Sequence, residues 1–99
     1  MIKSNKKIAD YERKLITAEV LALLYEEDEL LSTEICRTLG LHSGHLKTAT
    51  NYLLLRRKIE KEIIGYNRHG SPIVSWRLSK EERKFWNKVF DREIKNEIF

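Results

Sequence analysis

The stretch Leu31-Ser32-Thr33-Glu34-Ile35-Cys36-Arg37-Thr38-Leu39-Gly40-Leu41-His42-Ser43-Gly44-His45-Leu46 decides the fold of this chain. Ser32 carries a hydroxyl that can accept from the free N–H groups of a first helical turn, so it reads as an N-cap. Leu31 before it is placed to pack on Cys36 as a hydrophobic staple. Ile35, Cys36 and Leu39 then share one helical face. Gly40 stands where a helix closes in the left-handed conformation that a Cβ disfavours. Leu41 and Leu46 would close a small core against a second helix starting near Ser43. The spacing predicts two short helices joined by a tight turn.

Such a unit is a helix-turn-helix, whose second helix lies in the DNA major groove. The charge pattern agrees with that placement. The formal net charge is +4 over 99 residues, but it is unevenly spread. Residues 10–39 set Arg13, Lys14 and Arg37 against eight acids. Residues 40–78 set Lys47, Arg56, Arg57, Lys58, Lys61, Arg68 and Arg77 against only Glu60 and Glu62. The positive excess therefore falls on the proposed second helix and the segment after it, the footprint of a polyanion-binding face.

Composition bounds the rest. A chain of 99 residues, 41% hydrophobic and 34% charged, makes one globular domain with a single modest core. No apolar run approaches the roughly 18 residues of a membrane span. The basic N-terminus, about residues 1–7, has no apolar segment after it and reads as a flexible arm, not a secretory signal. One cysteine forms no internal disulfide, which suits a reducing, cytoplasmic setting beside the nucleoid.

Outward from the central stretch, Ile8 to about Glu27 reads as a helix, with Tyr11, Leu15, Ile16, Val20, Leu23 and Leu24 as its apolar stripe. The acids Glu26-Glu27-Asp28-Glu29 oppose the dipole at a helix C-terminus and mark its end. Leu30-Leu31 suggest a very short strand. The helix from Ser43 runs to about Arg57, burying Leu46, Ala49 or Thr50, and Leu53, with Leu54 and Leu55 packed on the first helix. From Ile59 the period changes to that of strands. Glu60–Tyr66 and Ile73–Leu78 flank the turn-forming Asn67-Arg68-His69-Gly70-Ser71-Pro72, so they predict a β-hairpin. Val74, Trp76 and Leu78 should face inward and Ser75 and Arg77 outward. Ser79-Lys80-Glu81-Glu82 is a capping box opening a last helix, whose apolar face holds Phe85, Trp86, Val89, Phe90, Ile94, Ile98 and Phe99. The fold class is mainly α with a small β-hairpin, in the order α-α-α-β-β-α.

This order resembles the winged helix-turn-helix family, in particular small prokaryotic regulators of the MarR, ArsR and PadR type. Leu15–Leu24 looks like their first helix and Ser32–Leu41 like their second, with Cys36 where a small Ala is usual. Trp76-Arg77-Leu78-Ser79 resembles the end of the wing, the β-hairpin, leading into the last helix. The resemblance spans about residues 15–80. It departs from the family pattern at His42-Ser43-Gly44, where a Ser, Thr or Asn cap is typical, and in having few cations on the second helix before Arg56. It implies a DNA-binding transcriptional regulator and no enzymatic activity.

The expected major-groove face is Ser43, His45, Lys47, Thr48 and Asn51, which one helix face can direct at base edges and flanking phosphates. Asn51 can bond adenine in bidentate fashion, and Lys47 can reach guanine or phosphate. Arg56 and Arg57, with Lys58, would position the sugar–phosphate backbone. Arg68 and His69 at the hairpin tip would touch the minor groove or a phosphate. Cys36, His42 and His45 make a poor metal site, since a single Cys at a small-residue position reads as core. No cofactor is implied, and no nucleophile–base pair or phosphate-cradling glycine loop stands out. The expected partners are double-stranded DNA and a second copy of the chain, joined through the helix in 79–99. The rival reading is a winged helix that binds another protein within a macromolecular assembly without touching DNA.

Overall fold

The computed structural model describes the backbone of residues 2–98 and the side chains of residues 14–91. The elements run α1 (Ile2–Glu27), β1 (Glu29–Leu31), α2 (Ser32–Leu39), α3 (Ser43–Leu55), β2 (Ile59–Tyr66), β3 (Pro72–Leu78) and α4 (Lys80–Ile98). The four helices and the hairpin fall in the expected order. The first helix starts at Ile2, earlier than Ile8, because Ile2–Lys7 holds neither Gly nor Pro to interrupt it. The side chains of Tyr11, Ile94 and Ile98, and Phe99 as a whole, lie outside the described residues.

The sheet has three antiparallel strands in the order β1-β3-β2. The hairpin strands pair from Ile59↔Leu78 through Tyr66↔Pro72, and β1 adds Glu29↔Arg77, Leu30↔Trp76 and Leu31↔Ser75 on the other edge. The short strand at Leu30-Leu31 thus makes β3 central and covers Ser75, which stays on the face of Arg77 but is not solvent-exposed as its position on the strand suggests. Ser75 is buried, and its hydroxyl donates to Glu29 Oε1 at 2.8 Å. Arg77 does face out, within 3.8 Å of Glu29, 3.5 Å of Glu60 and 3.4 Å of Glu62.

The core gathers Val20 and Leu24 of α1, Ile35 of α2, Leu46 and Leu53 of α3, and Ile59, Trp76 and Leu78 of the sheet. Both Ala49 and Thr50 are buried as well. Thr50 is satisfied within its own helix, its hydroxyl 3.0 Å from Leu46 O. Leu54 packs against the core, but Leu55 is 84% exposed. It is the last residue of α3 and points away from α1, so its expected packing there is corrected.

Helix ends follow their local chemistry. The N-cap of α2 is Leu31, not Ser32, and its N–H donates to Glu34 Oε1 at 2.9 Å. This is one half of a capping box. Ser32 is the first helical residue, and its hydroxyl is taken by the Trp76 indole, with Nε1 donating to Oγ at 2.7 Å. At the other end Gly40 lies at φ 65°, and Leu41 N–H closes on Cys36 O at 2.9 Å. The C-terminus of α1 is held by a cation from α4. Arg83 donates to Leu24 O at 3.1 Å and lies 3.2 Å from the Asp28 carboxylate. Its positive charge offsets the carbonyl end of the helix dipole, which the acids Glu26–Glu29 oppose. At the start of α4, Ser79 Oγ accepts from Glu82 N–H at 3.2 Å. The Glu82 carboxylate does not reach back to complete the box. It pairs instead with Lys58 Nζ at 3.3 Å and with Trp86 Nε1 at 3.2 Å.

The Trp76–Ser32 bond yields a stability test. Ser32→Ala leaves a part-buried indole N–H without its acceptor and should cost about 1 kcal/mol. In a Trp76→Phe background the same substitution should cost much less, because no donor is left unsatisfied. Urea unfolding of the four proteins in the cycle measures the difference. Equal costs in both backgrounds would show that the bond carries no stability.

Candidate nucleic-acid interface

The geometry of α3 follows from its sequence. Leu46, Ala49, Thr50 and Leu53 are buried, and at about 100° per residue they occupy one side of the helix. The remaining arc is exposed and largely polar up to Asn51, with Tyr52 and Leu55 also exposed toward its C-terminal end. By the same rotation Gly44, Thr48 and Asn51 lie at its middle, Ser43 and Lys47 on one flank, and His45 with Tyr52 on the other. All five expected reading residues, Ser43, His45, Lys47, Thr48 and Asn51, are exposed. Thr48 is partly engaged, its hydroxyl donating to Gly44 O at 3.1 Å. His42, the N-cap of α3, makes no side-chain cap and stands edge-on to His45, with ring centroids 6.0 Å apart. No N–H of the first turn is therefore covered by the cap side chain, and Gly44 adds no Cβ there.

The helix ends two residues earlier than its apolar pattern suggests. Lys58 N–H bonds Leu53 O and Arg57 N–H bonds Leu54 O, both at 3.0 Å. This is a Schellman closure, which requires a left-handed residue after the cap. Arg57 fills that place at φ 58°. Glycine is the usual occupant, and the absence of one hid the end of the helix. Arg56, just before, lays its guanidinium over the Tyr52 ring at 4.7 Å. The two arginines therefore leave the helix on a sharp turn leading directly into the wing.

Arg68 and His69 sit exposed at the wing tip, as expected. The tip is shaped by Asn67, whose Oδ1 accepts from His69 N–H at 2.9 Å and Ser71 N–H at 3.0 Å, and by Gly70 at φ 81°. Between α3 and the wing runs an open groove of about 530 Å³. Ser43, Lys47 and Asn51 form one wall, and Lys61, Pro72 and Val74 face them from the hairpin. Lys61 counts among the cations of the basic segment in the sequence but is not one of the residues expected to contact DNA. The signal was there: Lys61 shares the strand parity of Ile59, an inward position where a lysine is out of place.

Among the described residues no three His, Cys, Asp or Glu side chains converge to hold a metal. No helix is long and apolar enough there to cross a membrane.

A helix-turn-helix backed by a three-stranded sheet with an exposed hairpin defines the winged-helix fold. Solved structures with this fold match nearly the whole chain. A PadR-like transcription factor from Bacteroides fragilis is 14% identical with a TM-score of 0.69, over 94% of this chain and 95% of that one. An apo double variant of ZitR from Lactococcus lactis is 15% identical with a TM-score of 0.62, over 96% of this chain and 68% of that one. AbfR in a disulfide-formed state is 18% identical with a TM-score of 0.63, over 91% of this chain and 65% of that one. At such identities the likeness is one of fold. No protein-family model and no curated protein sequence matches the chain.

Arg57 supplies the test of this local geometry. A side chain with a Cβ in the left-handed region costs about 1 kcal/mol relative to glycine. Arg57→Gly should therefore raise the urea midpoint, with an unchanged slope. A lower midpoint would mean that Arg57 makes stabilising contacts that outweigh its strain.

Proposed function

We propose that this protein binds double-stranded DNA sequence-specifically as a transcriptional regulator, with α3 in the major groove and the wing on the backbone or minor groove. One observation carries the reading: α3 buries Leu46, Ala49, Thr50 and Leu53 and turns to solvent an arc that holds Ser43, His45, Lys47, Thr48 and Asn51, with Tyr52 and Leu55 exposed toward its C-terminal end. Asn51 and Thr48 lie at the centre of that arc, where base edges would be met. Ser43 and Lys47 flank it on the wing side and His45 on the other. The first turn, with Gly44 at its exposed centre, lets the DNA backbone approach closely. Arg57 adds weight, because a cation held where glycine is favoured makes sense if its charge is used. With Arg56 it would neutralise phosphates beside the groove, and Arg68 and His69 would do so at the wing tip.

Asn51→Ala should cost about 1–3 kcal/mol on a selected site and relax the preference there, as loss of a bidentate adenine contact does. Lys47→Ala and Arg68→Ala should weaken binding to all sequences and flatten its salt dependence. Selection from a random duplex pool, followed by anisotropy titrations at two salt concentrations, measures all three. If the Lys47→Ala/Asn51→Ala protein keeps wild-type affinity and a native circular dichroism spectrum, α3 is not the reading helix. The protein-binding winged helix then takes its place.

The same reading includes a homodimer joined through α4. Trp86 and Phe90 stack on Tyr25 of α1, with centroids 5.5 and 5.0 Å away. Phe85 remains 59% exposed, and Val89, Phe90 and Leu15 are also exposed. Exposed apolar side chains on a last helix are the surface that a second copy would cover. A two-fold dimer would present two α3 helices roughly 34 Å apart to successive major grooves of a palindromic site. Light scattering at micromolar concentration should give a dimer mass, and Phe85→Glu should reduce it to the monomer. A monomer mass for the wild type would rule the dimer out.

A further inference from the structure

The exposed row on α3 does not end at Asn51. At about 100° per residue, Gly44, Thr48, Asn51 and Leu55 fall on one line along the helix. Leu55 is the last residue of α3. At 84% exposure it is the most exposed large hydrophobic side chain among the described residues. A single exposed leucine is ordinary on a protein surface. This one stands at the middle of the arc, one turn beyond Asn51, on a helix whose sequence holds no carboxylate. The closure of the helix explains why it is left bare. Arg57 turns the chain at φ 58° and Ile59 enters the core two residues on, so the backbone leaves for the sheet without covering Leu55.

We propose that Leu55 reads a thymine through its C5-methyl group, so that the preferred site holds a thymine about two base pairs from the base met by Asn51. The proposal rests on the DNA reading above and gives that site one of its bases. Thymine is the only one of the four bases that presents a methyl group in the major groove, and apolar side chains meet it there. Packing the leucine on that methyl removes apolar surface of both from water. Cytosine in the same place offers an amino group, which a leucine cannot accept from, so its donor would be buried unpaired. The spacing follows from helix geometry. Four residues advance about 6 Å along the axis of α3, close to two steps of about 3.4 Å along a duplex. Asn51 would thus select by hydrogen bonds and Leu55 by excluding water.

The duplex selected from the random pool carries the test, with each thymine replaced in turn by uracil, which lacks only the methyl group. One replacement should weaken binding of the full wild-type chain about fourfold in anisotropy titrations, the worth of one buried methyl group. That position should lie about two base pairs from the one at which Asn51→Ala relaxes the preference. Leu55→Ala should bind the thymine duplex at least as weakly as the wild type binds the uracil one, and should no longer distinguish the two. Its urea midpoint should match the wild type, because Leu55 is exposed. The uracil series needs no variant, so it decides even if Leu55→Ala does not fold. A selected site without thymine, uracil duplexes that all bind like the parent, or a uracil effect that persists in Leu55→Ala would overturn the assignment and leave the DNA reading in place. A chain that selects no duplex at all would overturn both.

Discussion

The hydrogen bond from the Trp76 indole to Ser32 is the joint on which the arrangement depends. Trp76 lies on the central strand, between Leu30 of β1 and Lys61 of β2. Its ring is buried in the common core, and its N–H reaches the first turn of α2. One side chain therefore fixes the angle between the sheet and the helix-turn-helix. Such a bond is demanding, because an indole donor buried without a partner is costly. The same ring is the floor of the groove, so the distance between α3 and the wing is set by the core and not by a flexible loop.

Charge is segregated by the sheet. On its outer face Glu29, Glu60 and Glu62 surround Arg77, and Glu29 also takes the buried Ser75 hydroxyl. On the opposite face Lys61 looks across the groove to Lys47. Alternation along β2 is enough to produce this, since successive residues point to opposite faces. A strand reading Glu60-Lys61-Glu62 carries a formal charge of only −1 in sequence yet gives the folded protein one acidic and one basic side. That separation makes the modest net charge of +4 a poor guide to the field a polyanion would meet.

The helix ends illustrate two ways of meeting one constraint. Both α2 and α3 close with Schellman-type bonds, which need a left-handed residue. Gly40 meets the requirement without strain, whereas Arg57 meets it at a cost and keeps a cation beside the wing. At the end of α1 the orphan carbonyls are instead covered by Arg83, contributed from the last helix of the chain. That contact also ties α4 to α1, next to the stack of Tyr25, Trp86 and Phe90.

The sequence alone determined the elements and their order. Helical spacing of Ile35, Cys36 and Leu39, the glycine at 40, the strand period after Ile59 and the turn chemistry of Asn67–Pro72 are local signals, and local sterics and hydrogen bonding suffice to read them. The exposed row on α3 was legible for the same reason, since burying Leu46, Ala49 and Leu53 fixes which residues face out. The tertiary structure decided the pairings between distant segments. Ser32 reads as a cap until Trp76 arrives to claim its hydroxyl, and Ser75 reads as solvent-exposed until β1 pairs with β3 and Glu29 covers it. Glu82 reads as half of a capping box until Lys58 and Trp86 take its carboxylate. Leu55 reads as core until the early closure at Arg57 leaves it in solvent. The groove and its two lysines belong to no single segment. They exist because β2 and α3 are brought face to face by a core that periodicity can populate with residues but cannot orient.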